Sequence, residues 1–335
     1  MPVLMKDVAA RAGVSITTVS HVLNGTRPIA AATRALVMNA IEETNYYTNA
    51  VARLLVKGQS DTFGLIISDI ENPFFPELVK AFERSCSSAG LELLLGMTNY
   101  EQPKAEAAVR RMIENRVRGV AVMTSQLDER LVERLLKVEI PVVSLDSPKI
   151  GRNRCRASID YAKGIAEAVD HLHELGHINV AIAHGPLRRV SALRYRDVLV
   201  SSIAERRMRL LEVIEGEGGP EGGALATRKL LSAKTRPTAI FYGNDEMAIG
   251  GMGEASKLGV SVPEELSIVG SDDIPFARYC HPPLSTVRIP RDELGQEIFR
   301  LLEKLIATKR RRGSEIAVAT SFVSRGSSGR APAVR

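Results

Sequence analysis

Residues 6–25 have the sequence KDVAARAGVSITTVSHVLNG, which predicts two short helices joined by a tight turn. A first helix over residues 5–12 would end at Gly13, and Ser15 would cap a second helix over residues 16–23 that stops at Asn24-Gly25. This arrangement is typical of a helix-turn-helix. Five apolar residues are predicted to form its small core: Val8, Ala9, Val14, Val19 and Val22.

A third helix is predicted over residues 32–45, with four apolar residues near helical spacing: Leu36, Met38, Ala40 and Ile41. The second helix would turn five side chains outward: Ser15, Ile16, Thr17, Thr18 and His21. In a helix-turn-helix this end enters the major groove of DNA, where hydroxyl and imidazole groups meet base edges. Spacing alone leaves open a three-helix bundle with no such role.

The bulk composition indicates an ordinary soluble protein with several domains. Of its 335 residues 44% are hydrophobic and 25% are charged, and Lys and Arg exceed Asp and Glu by 45 to 39. Three scattered cysteines imply no disulfide framework. The amino-terminal stretch does not have the pattern of a signal peptide, and no apolar run has the length of a membrane span, so we expect a cytoplasmic protein.

From Phe63 onward, short apolar runs alternate with longer amphipathic stretches, and the alternation resumes after residue 160. Buried strands that alternate with helices predict parallel sheets with right-handed crossovers. Two successive blocks therefore predict two α/β subdomains, and a ligand would bind in a cleft at the carboxyl ends of their strands. The polar residues 324–335 and the basic run KRRR at 309–312 fall outside this pattern.

The helix-turn-helix stretch, followed by TR at 33–34 and NYYTNAVARLL at 45–55, resembles the head and hinge of the lactose/galactose repressor family. The resemblance extends through ENPFF (71–75), SLDSP (144–148), ELGH (174–177), YGNDEMAIG (242–250) and PLSTVRIP (283–290). It implies a dimeric transcription regulator, most simply a repressor, that binds a roughly palindromic operator and responds to a small molecule.

Specific DNA contacts are implied by the same resemblance. Ser15 and Thr18 would hold phosphates, Ile16, Thr17 and His21 would contact bases, and Asn24 and Asn49 would contact the backbone. Leu55 matches the residue that the family inserts between base pairs of the minor groove, a wedge that bends the duplex.

The resemblance also implies the domain limits and an effector site. A helix-turn-helix head would occupy residues 1–47 and a hinge 48–61; one subdomain would combine 62–160 with 290–323, the other would span 161–289, and 324–335 would be a polar tail. The body would resemble periplasmic sugar-binding proteins. Nine residues are the expected effector contacts: Asn72, Phe74, Phe75, Arg189, Ser191, Arg194, Asn244, Asp245 and Asp272. The two phenylalanines have core packing as their alternative role, and Asp245 has helix capping.

The effector is expected to be a sugar or a related polar metabolite. Aromatic rings cover the apolar faces of such ligands, carboxylates accept hydrogen bonds from hydroxyl groups, and a guanidinium gives bidentate recognition. Gly218 stands near the place where purine-binding members have a stacking aromatic, which argues against a purine. The chain also departs from the family pattern at Ala30, where Ser or Thr usually caps the third helix, and at Thr44 and Thr48.

Two motifs suggest enzymes but fit poorly. HELGH at 173–177 matches the zinc-protease signature, yet Gly176 is expected to end the helix before His177. AIGGMGEA at 248–255 has the glycines of a dinucleotide fingerprint, but we expect them to allow close helix packing. We therefore expect no catalysis, metal or cofactor. The rival hypotheses are a solute-binding transport protein, which would need a secretory signal, and a nucleotide-dependent enzyme, whose motifs are missing.

Overall fold

The computed structural model describes residues 3–25, 27–46, 60–124, 127–187, 190–308 and 311–333. The chain divides into two compact units, Met1–Ser60 and Asp61–Arg335.

The first unit contains three helices: α1 (Met5–Ala12), α2 (Ile16–Asn24) and α3 (Ala31–Thr44). Gly13 follows α1 with a φ of 65°, a left-handed conformation that glycine adopts without the steric penalty of a side chain. The side chain of Ser15 accepts a hydrogen bond from the backbone N–H of Thr18 at 3.1 Å, so it caps α2 as predicted. These two local signals fix the turn between the helices.

The core of this unit differs from the prediction in its third helix. Val8, Ala9, Val19 and Val22 are buried and Val14 is half-buried beside them. From α3 the buried residues are Val37 and Ala40, whereas Leu36 and Met38 are 55% and 44% exposed. The inward face of the helix is therefore centred on Val37 and Ala40, with Ile41 packed beside them.

The second unit contains two six-stranded sheets. The first sheet has the order β11-β5-β4-β3-β1-β2, with all neighbouring strands parallel. Its strands are β1 (Thr62–Ile67), β2 (Glu92–Met97), β3 (Val120–Met123), β4 (Val142–Leu145), β5 (Arg154–Asp160) and β11 (Glu315–Ala319). Its helices are α4 (Phe74–Ser88), α5 (Gln102–Glu114), α6 (Glu129–Lys137) and α11 (Arg291–Ala307).

The second sheet has the order β12-β10-β9-β8-β6-β7. Its strands are β6 (Asn179–His184), β7 (Arg209–Glu215), β8 (Ala239–Tyr242), β9 (Ser267–Asp272), β10 (Ser285–Arg288) and β12 (Ser321–Val323), and only β12 runs antiparallel to its neighbour. The associated helices are α7 (Ala162–Glu174), α8 (Val190–Glu205), α9 (Pro220–Ser232) and α10 (Asp245–Lys257), with a short 3₁₀ helix at Pro275–Arg278. Two doubly wound α/β subdomains were predicted, and this is the fold observed.

One expected boundary is wrong. Strand β12 at residues 321–323 pairs with β10, so it belongs to the second sheet rather than to the first subdomain. The residues after it also pack there, since Ser327 donates through Oγ to the carbonyl of Ile268 at 2.6 Å. The stretch was expected to be a polar tail because its hydroxyl groups suggest exposure. Instead they bond buried backbone groups that would otherwise lack partners.

Glycines bring α9 and α10 into close contact. A Cβ atom added at Gly250 would overlap the carbonyl oxygen of Pro220, and one added at Gly223 would overlap that of Met247. Of the glycines in AIGGMGEA, Gly250 therefore serves helix packing, as the sequence predicted, whereas a Cβ atom at Gly253 would meet no neighbour.

Candidate functional site

A cavity of about 840 Å³, partly open to solvent, lies where strands of both sheets end. The residues at or just after the carboxyl ends of β1, β3, β4, β5, β6, β8 and β9 contribute to its wall, as expected for a ligand site in open parallel sheets. The lining residues are Ser68, Asn72, Phe74, Phe75, Tyr100, Met123, Leu145, Ile159, Tyr161, Gly185, Ser191, Ala192, Tyr195, Gly243, Asn244, Asp272 and Ile289.

One wall is formed by the start of α4. Asn72 accepts a hydrogen bond through Oδ1 from the backbone N–H of Phe74 at 2.8 Å. The rings of Phe74 and Phe75 pack edge to face, with centroids 5.3 Å apart. Both phenylalanines are buried in the main core and both line the cavity, so the two roles considered for them coexist.

Asp272 is the carboxylate of the cavity wall. It ends β9 with a φ of 116°, a backbone conformation that is unusual for any residue except glycine. Burial raises the pKa of Asp272 well above its usual range, and the negative charge of Asp245 raises it further, against the attraction of Arg291. A ligand that donates a hydrogen bond to this carboxyl group would relieve part of its desolvation.

Asn244 also lines the cavity, but hydrogen bonds within the protein occupy its amide. Its Oδ1 accepts from the backbone N–H of Met247 at 2.8 Å, and its Nδ2 donates to the carbonyl of Gly218 at 2.8 Å. Asn244 is thus the cap of α10, and it also binds the backbone carbonyl of Gly218. Ser191, at the start of α8, is the remaining predicted contact that lines the cavity.

Arg194 is not among the lining residues. It forms an ion pair through Nη1 with Oδ1 of Asp146, which follows β4 in the first subdomain. The carboxylate of Asp146 is buried, and its Oδ2 has no hydrogen-bond partner among the described residues. Desolvation raises the pKa of Asp146, with the charge of Arg194 opposing it. Arg194 therefore joins the two subdomains, and its side chain stays 42% exposed.

Asp245 was predicted to contact the effector, but in the structure it does not line the cavity. It is fully buried below the cavity wall, where it accepts hydrogen bonds from Thr286 Oγ1 at 2.6 Å and from the backbone N–H of Ile274 at 2.8 Å. Burial raises the pKa of Asp245 to about 7. The two donors come from segments that are distant from Asp245 along the chain. Arg189 lies outside the described residues.

Sequence reasoning missed most of the aromatic and apolar lining. Tyr161 follows β5 directly and packs edge to face against Tyr195, with ring centroids 5.5 Å apart. Tyr195 donates its hydroxyl to the carbonyl of Tyr242 at 3.2 Å, so its ring is held in place. Tyr161 could have been found by taking the first residue after each predicted strand. Tyr195 lies within a helix, where no sequence signal points to the cavity.

The exposed face of α2 is the second candidate site. Ser15 and Thr18 lie together, with their hydroxyl oxygens 2.9 Å apart. Ile16 is 52% exposed and Thr17 is exposed beside it, while His21 is half-buried. The structure thus places Ser15, Ile16, Thr17 and Thr18 together at the amino-terminal end of α2, with His21 in the following turn. The side chain of Asn24, and Asn49 and Leu55 altogether, lie outside the described residues.

The zinc-protease motif is a structural turn. Helix α7 ends at Glu174, Gly176 has a φ of 88°, and His177 lies beyond the helix. The ring of His177 is buried, with Nδ1 2.9 Å from Thr238 Oγ1 and Nε2 2.9 Å from the carbonyl oxygen of Gly329. Within the described ranges no three His, Cys, Asp or Glu side chains are grouped to hold a metal. None of the helices described there has the length and apolar character needed to cross a bilayer.

Comparisons with known proteins match both units. Residues 4–49 match the model of bacterial regulatory proteins of the lacI family, and residues 169–328 match that of the periplasmic binding protein-like domain. The HTH-type transcriptional repressor PurR of Proteus mirabilis is 39% identical over 96% of this chain and 95% of its own length.

Solved structures match as well. The lac repressor dimer bound to operator and the anti-inducer ONPF aligns with a TM-score of 0.87 and 28% identity, over 98% of this chain and all of that one. The complex of the regulator CelR with cellobiose aligns with a TM-score of 0.73 and 26% identity, over 97% of this chain and 99% of that one.

Proposed function

Because this chain belongs to the lacI family of bacterial regulatory proteins, we propose that it is a cytoplasmic transcriptional repressor controlled by a small molecule. It binds a palindromic operator as a dimer, with one α2 helix of each protomer in the major groove. The observation that carries this proposal is the Ser15-capped α2 helix with its outward Ile16 and Thr17, within the stretch that matches the family model.

The roles of the individual residues follow the chemistry of their side chains. The hydroxyls of Ser15 and Thr18 lie at the amino-terminal end of α2, where backbone N–H groups also favour phosphate. Thr17 and His21 offer hydrogen bonds to base edges, and Ile16 offers an apolar contact to a thymine methyl group. Asn24, Asn49 and Leu55 are proposed as backbone contacts and as the minor-groove wedge.

The effector site is the cavity between the two sheets. Phe74, Phe75 and Tyr161 give it aromatic walls, and Asp272 gives it a partly buried carboxyl group whose pKa is raised by desolvation. The backbone of Gly218 lies close to Gly185 of the cavity wall and adds no aromatic ring, so it offers no stacking platform at that position. These features support a hydroxyl-bearing ligand such as a sugar. CelR in complex with cellobiose and a family member with bound ribose have folds of this kind.

DNA binding is tested by titrating the full chain against a pool of duplexes with randomised palindromes. We expect one palindrome to be enriched, and affinity to fall steeply with salt as phosphate contacts release counterions. His21→Ala and Thr17→Ala should each relax base preference at one symmetric pair of positions, costing about 1–3 kcal/mol per lost contact. Met38→Ala, an exposed change on α3, is the control. Failure of every duplex to be enriched would refute the proposal.

The effector site is tested by calorimetric titration with a panel of mono- and disaccharides. A ligand of this cavity should bind the wild type and lose at least tenfold in affinity in Asp272→Asn, because the amide exposes an N–H toward a hydroxyl donor. Glu264→Gln, an exposed carboxylate away from the cavity, should bind normally. Equal affinity in both variants would place the ligand elsewhere.

A further inference from the structure

Five arginines lie at the amino-terminal ends of strands of the first sheet, and none has a role in the function proposed above. They are Arg116, Arg118, Arg152, Arg311 and Arg312, here called the basic edge. We propose that the basic edge binds backbone phosphates of the DNA that flanks the operator. This inference rests on the proposed function, since it presupposes that the chain binds DNA.

Strand direction places these residues together. All strands of the first sheet are parallel, and each arginine precedes the start of a strand: β3, β5 or β11. Arg152 and Arg312 pair through a backbone bridge, and the N–H of Asn153 donates to the carbonyl of Arg311 at 2.9 Å. With strands about 4.8 Å apart, the three steps from β11 to β3 span about 15 Å. A row of arginines of this length can lie along one face of a DNA duplex.

The charge at this edge is positive and accessible. Arg116, Arg152 and Arg312 are exposed, and within the described part of the chain neither Arg116 nor Arg312 forms a salt bridge. Arg152 lies 3.5 Å from the exposed carboxylate of Glu139, an ion pair of little strength in water. Two further carboxylates, Asp61 and Glu92, lie at the far end of the sheet edge, at β1 and β2. Glu315 and Glu114 also lie at this end of the sheet, but each is paired with a further arginine, Arg156 and Arg110 respectively, so positive charge remains in excess.

The chain itself connects this edge to the DNA-binding head. Thr62 begins β1 at the same edge, where its carbonyl accepts from the N–H of Arg118 at 2.8 Å. Only residues 45–61 separate Thr62 from the end of α3, so even a fully extended chain spans at most about 60 Å. When the head is on its operator, the basic edge is therefore confined near the same duplex, at a high effective concentration of phosphate.

The second sheet provides an internal comparison. Its own amino-terminal edge carries exposed Arg209, at the start of β7, and exposed Arg236, before β8. That edge resembles the basic edge in chemistry, but no connection from the head enters it. Both ends therefore carry positive charge. The basic edge differs because the chain that leaves the head enters the first sheet there.

The basic edge would therefore add affinity for DNA without adding preference for particular bases. Arginine contacts to phosphate fix position on the duplex but do not distinguish bases. Each phosphate contact steepens the decline of log K with log salt by about 0.9. A duplex long enough to reach the basic edge should therefore be bound more tightly, and with a steeper salt dependence, than one that ends at the operator.

The experiment uses the full chain and its selected palindrome in two duplexes, one with 3 bp and one with 25 bp of unrelated sequence on each side. Affinities are measured from 50 to 300 mM salt for the wild type, for Arg116→Gln/Arg312→Gln, and for the matched control Arg209→Gln/Arg236→Gln. Thermal unfolding of each variant verifies the fold.

We expect the wild type and the control to bind the long duplex at least threefold more tightly than the short one at 100 mM salt. The Arg116→Gln/Arg312→Gln variant should lose this advantage, with a salt slope lower by about 1 per lost contact, yet bind the short duplex normally. The inference is overturned if flank length makes no difference to the wild type. It is also overturned if the variant keeps the advantage. If the wild type does not bind even the short duplex that carries its palindrome, the proposed function itself is refuted.

Discussion

Arg291 donates through Nε to Oε2 of Glu77 at 2.7 Å, which joins the start of α11 to the helix that carries Phe74 and Phe75. The same guanidinium donates to the carbonyl of Asp273 at 2.7 Å and to that of Asp272. Only 6% of Arg291 is exposed. One side chain therefore fixes the loop of Asp272, from the second sheet, against the aromatic wall of the cavity, from the first.

Replacing Arg291 should weaken both the fold and the effector site. Arg291→Met leaves two carbonyl groups and the Glu77 carboxylate without their donor, so we expect the free energy of unfolding to fall by about 3 kcal/mol. Urea denaturation measures this loss. Arg291→Lys keeps the positive charge but loses the planar guanidinium group with its several N–H donors. Its free energy of unfolding should therefore lie between those of the wild type and Arg291→Met. A methionine variant as stable as the wild type would show that the network contributes nothing.

The ion pair of Arg194 and Asp146 should respond unequally to removal of its two partners. Arg194→Met leaves a buried carboxylate unpaired, and we expect it to reduce the free energy of unfolding by about 2 kcal/mol. Asp146→Asn removes a carboxyl group whose pKa burial already raises, and leaves a partly exposed arginine, so its effect should stay within about 1 kcal/mol.

Denaturation of both single variants and of the double variant separates the pairwise contribution from the rest. The double variant should be more stable than Arg194→Met alone, because the unpaired charge is gone. If Asp146→Asn proved the more damaging change, the carboxylate would be a net stabilising group and the argument from desolvation would be wrong.

The head could be predicted from sequence because its signals are local. Gly13 and Ser15 determine the turn through their own conformation and their own hydrogen bond, within three residues of chain. The burial of α3 was less predictable. Leu36 and Val37 are neighbours of similar hydrophobicity, and which of them is buried depends on how α3 packs against the other two helices.

The cavity was only partly predictable, because its chemistry depends on distant segments. Asp245 and Asp272 both stand at the carboxyl end of a strand, and the sequence does not distinguish them. Thr286 and Ile274, 41 and 29 residues further along the chain, bind Asp245 and draw it into the core. The partner of Arg194 is likewise 48 residues away. Such pairings are a property of the assembled sheets.

The pH dependence of stability should reveal Asp245. Its pKa is about 7 in the folded protein and about 4 in the unfolded chain, so between these values the folded state holds the extra proton. The free energy of unfolding therefore falls as pH rises from about 4 to about 7, by at most about 1.4 kcal/mol per pH unit from this group. Asp272, whose pKa is raised as well, acts in the same direction.

Asp245→Asn cannot titrate, so its stability relative to the wild type should improve steadily between pH 5 and pH 7. Urea denaturation at four pH values measures this, with Glu264→Gln as an exposed carboxylate for comparison. A stability difference between Asp245→Asn and the wild type that stays constant with pH would mean that Asp245 is ionised throughout the range.

The third helix of the head should be stabilised by a single hydroxyl group. Ala30 precedes α3 with a φ of −53° and a ψ of 139°, and its side chain makes no capping hydrogen bond. Ala30→Ser places an acceptor next to the unbonded N–H groups of the first turn, so we expect the free energy of unfolding of the head to rise by about 1 kcal/mol. Thermal unfolding followed by circular dichroism measures the change in the head transition.

Ala32→Ser is the matched control, because it adds the same hydroxyl inside the helix, where serine is a weaker helix former than alanine. It should lower the stability of the head by a few tenths of a kcal/mol, opposite in sign to Ala30→Ser. Since neither position is among the proposed base contacts, the preferred palindrome should stay the same in both variants. If Ala30→Ser destabilised the head, the backbone at residue 30 would not hold the capping geometry.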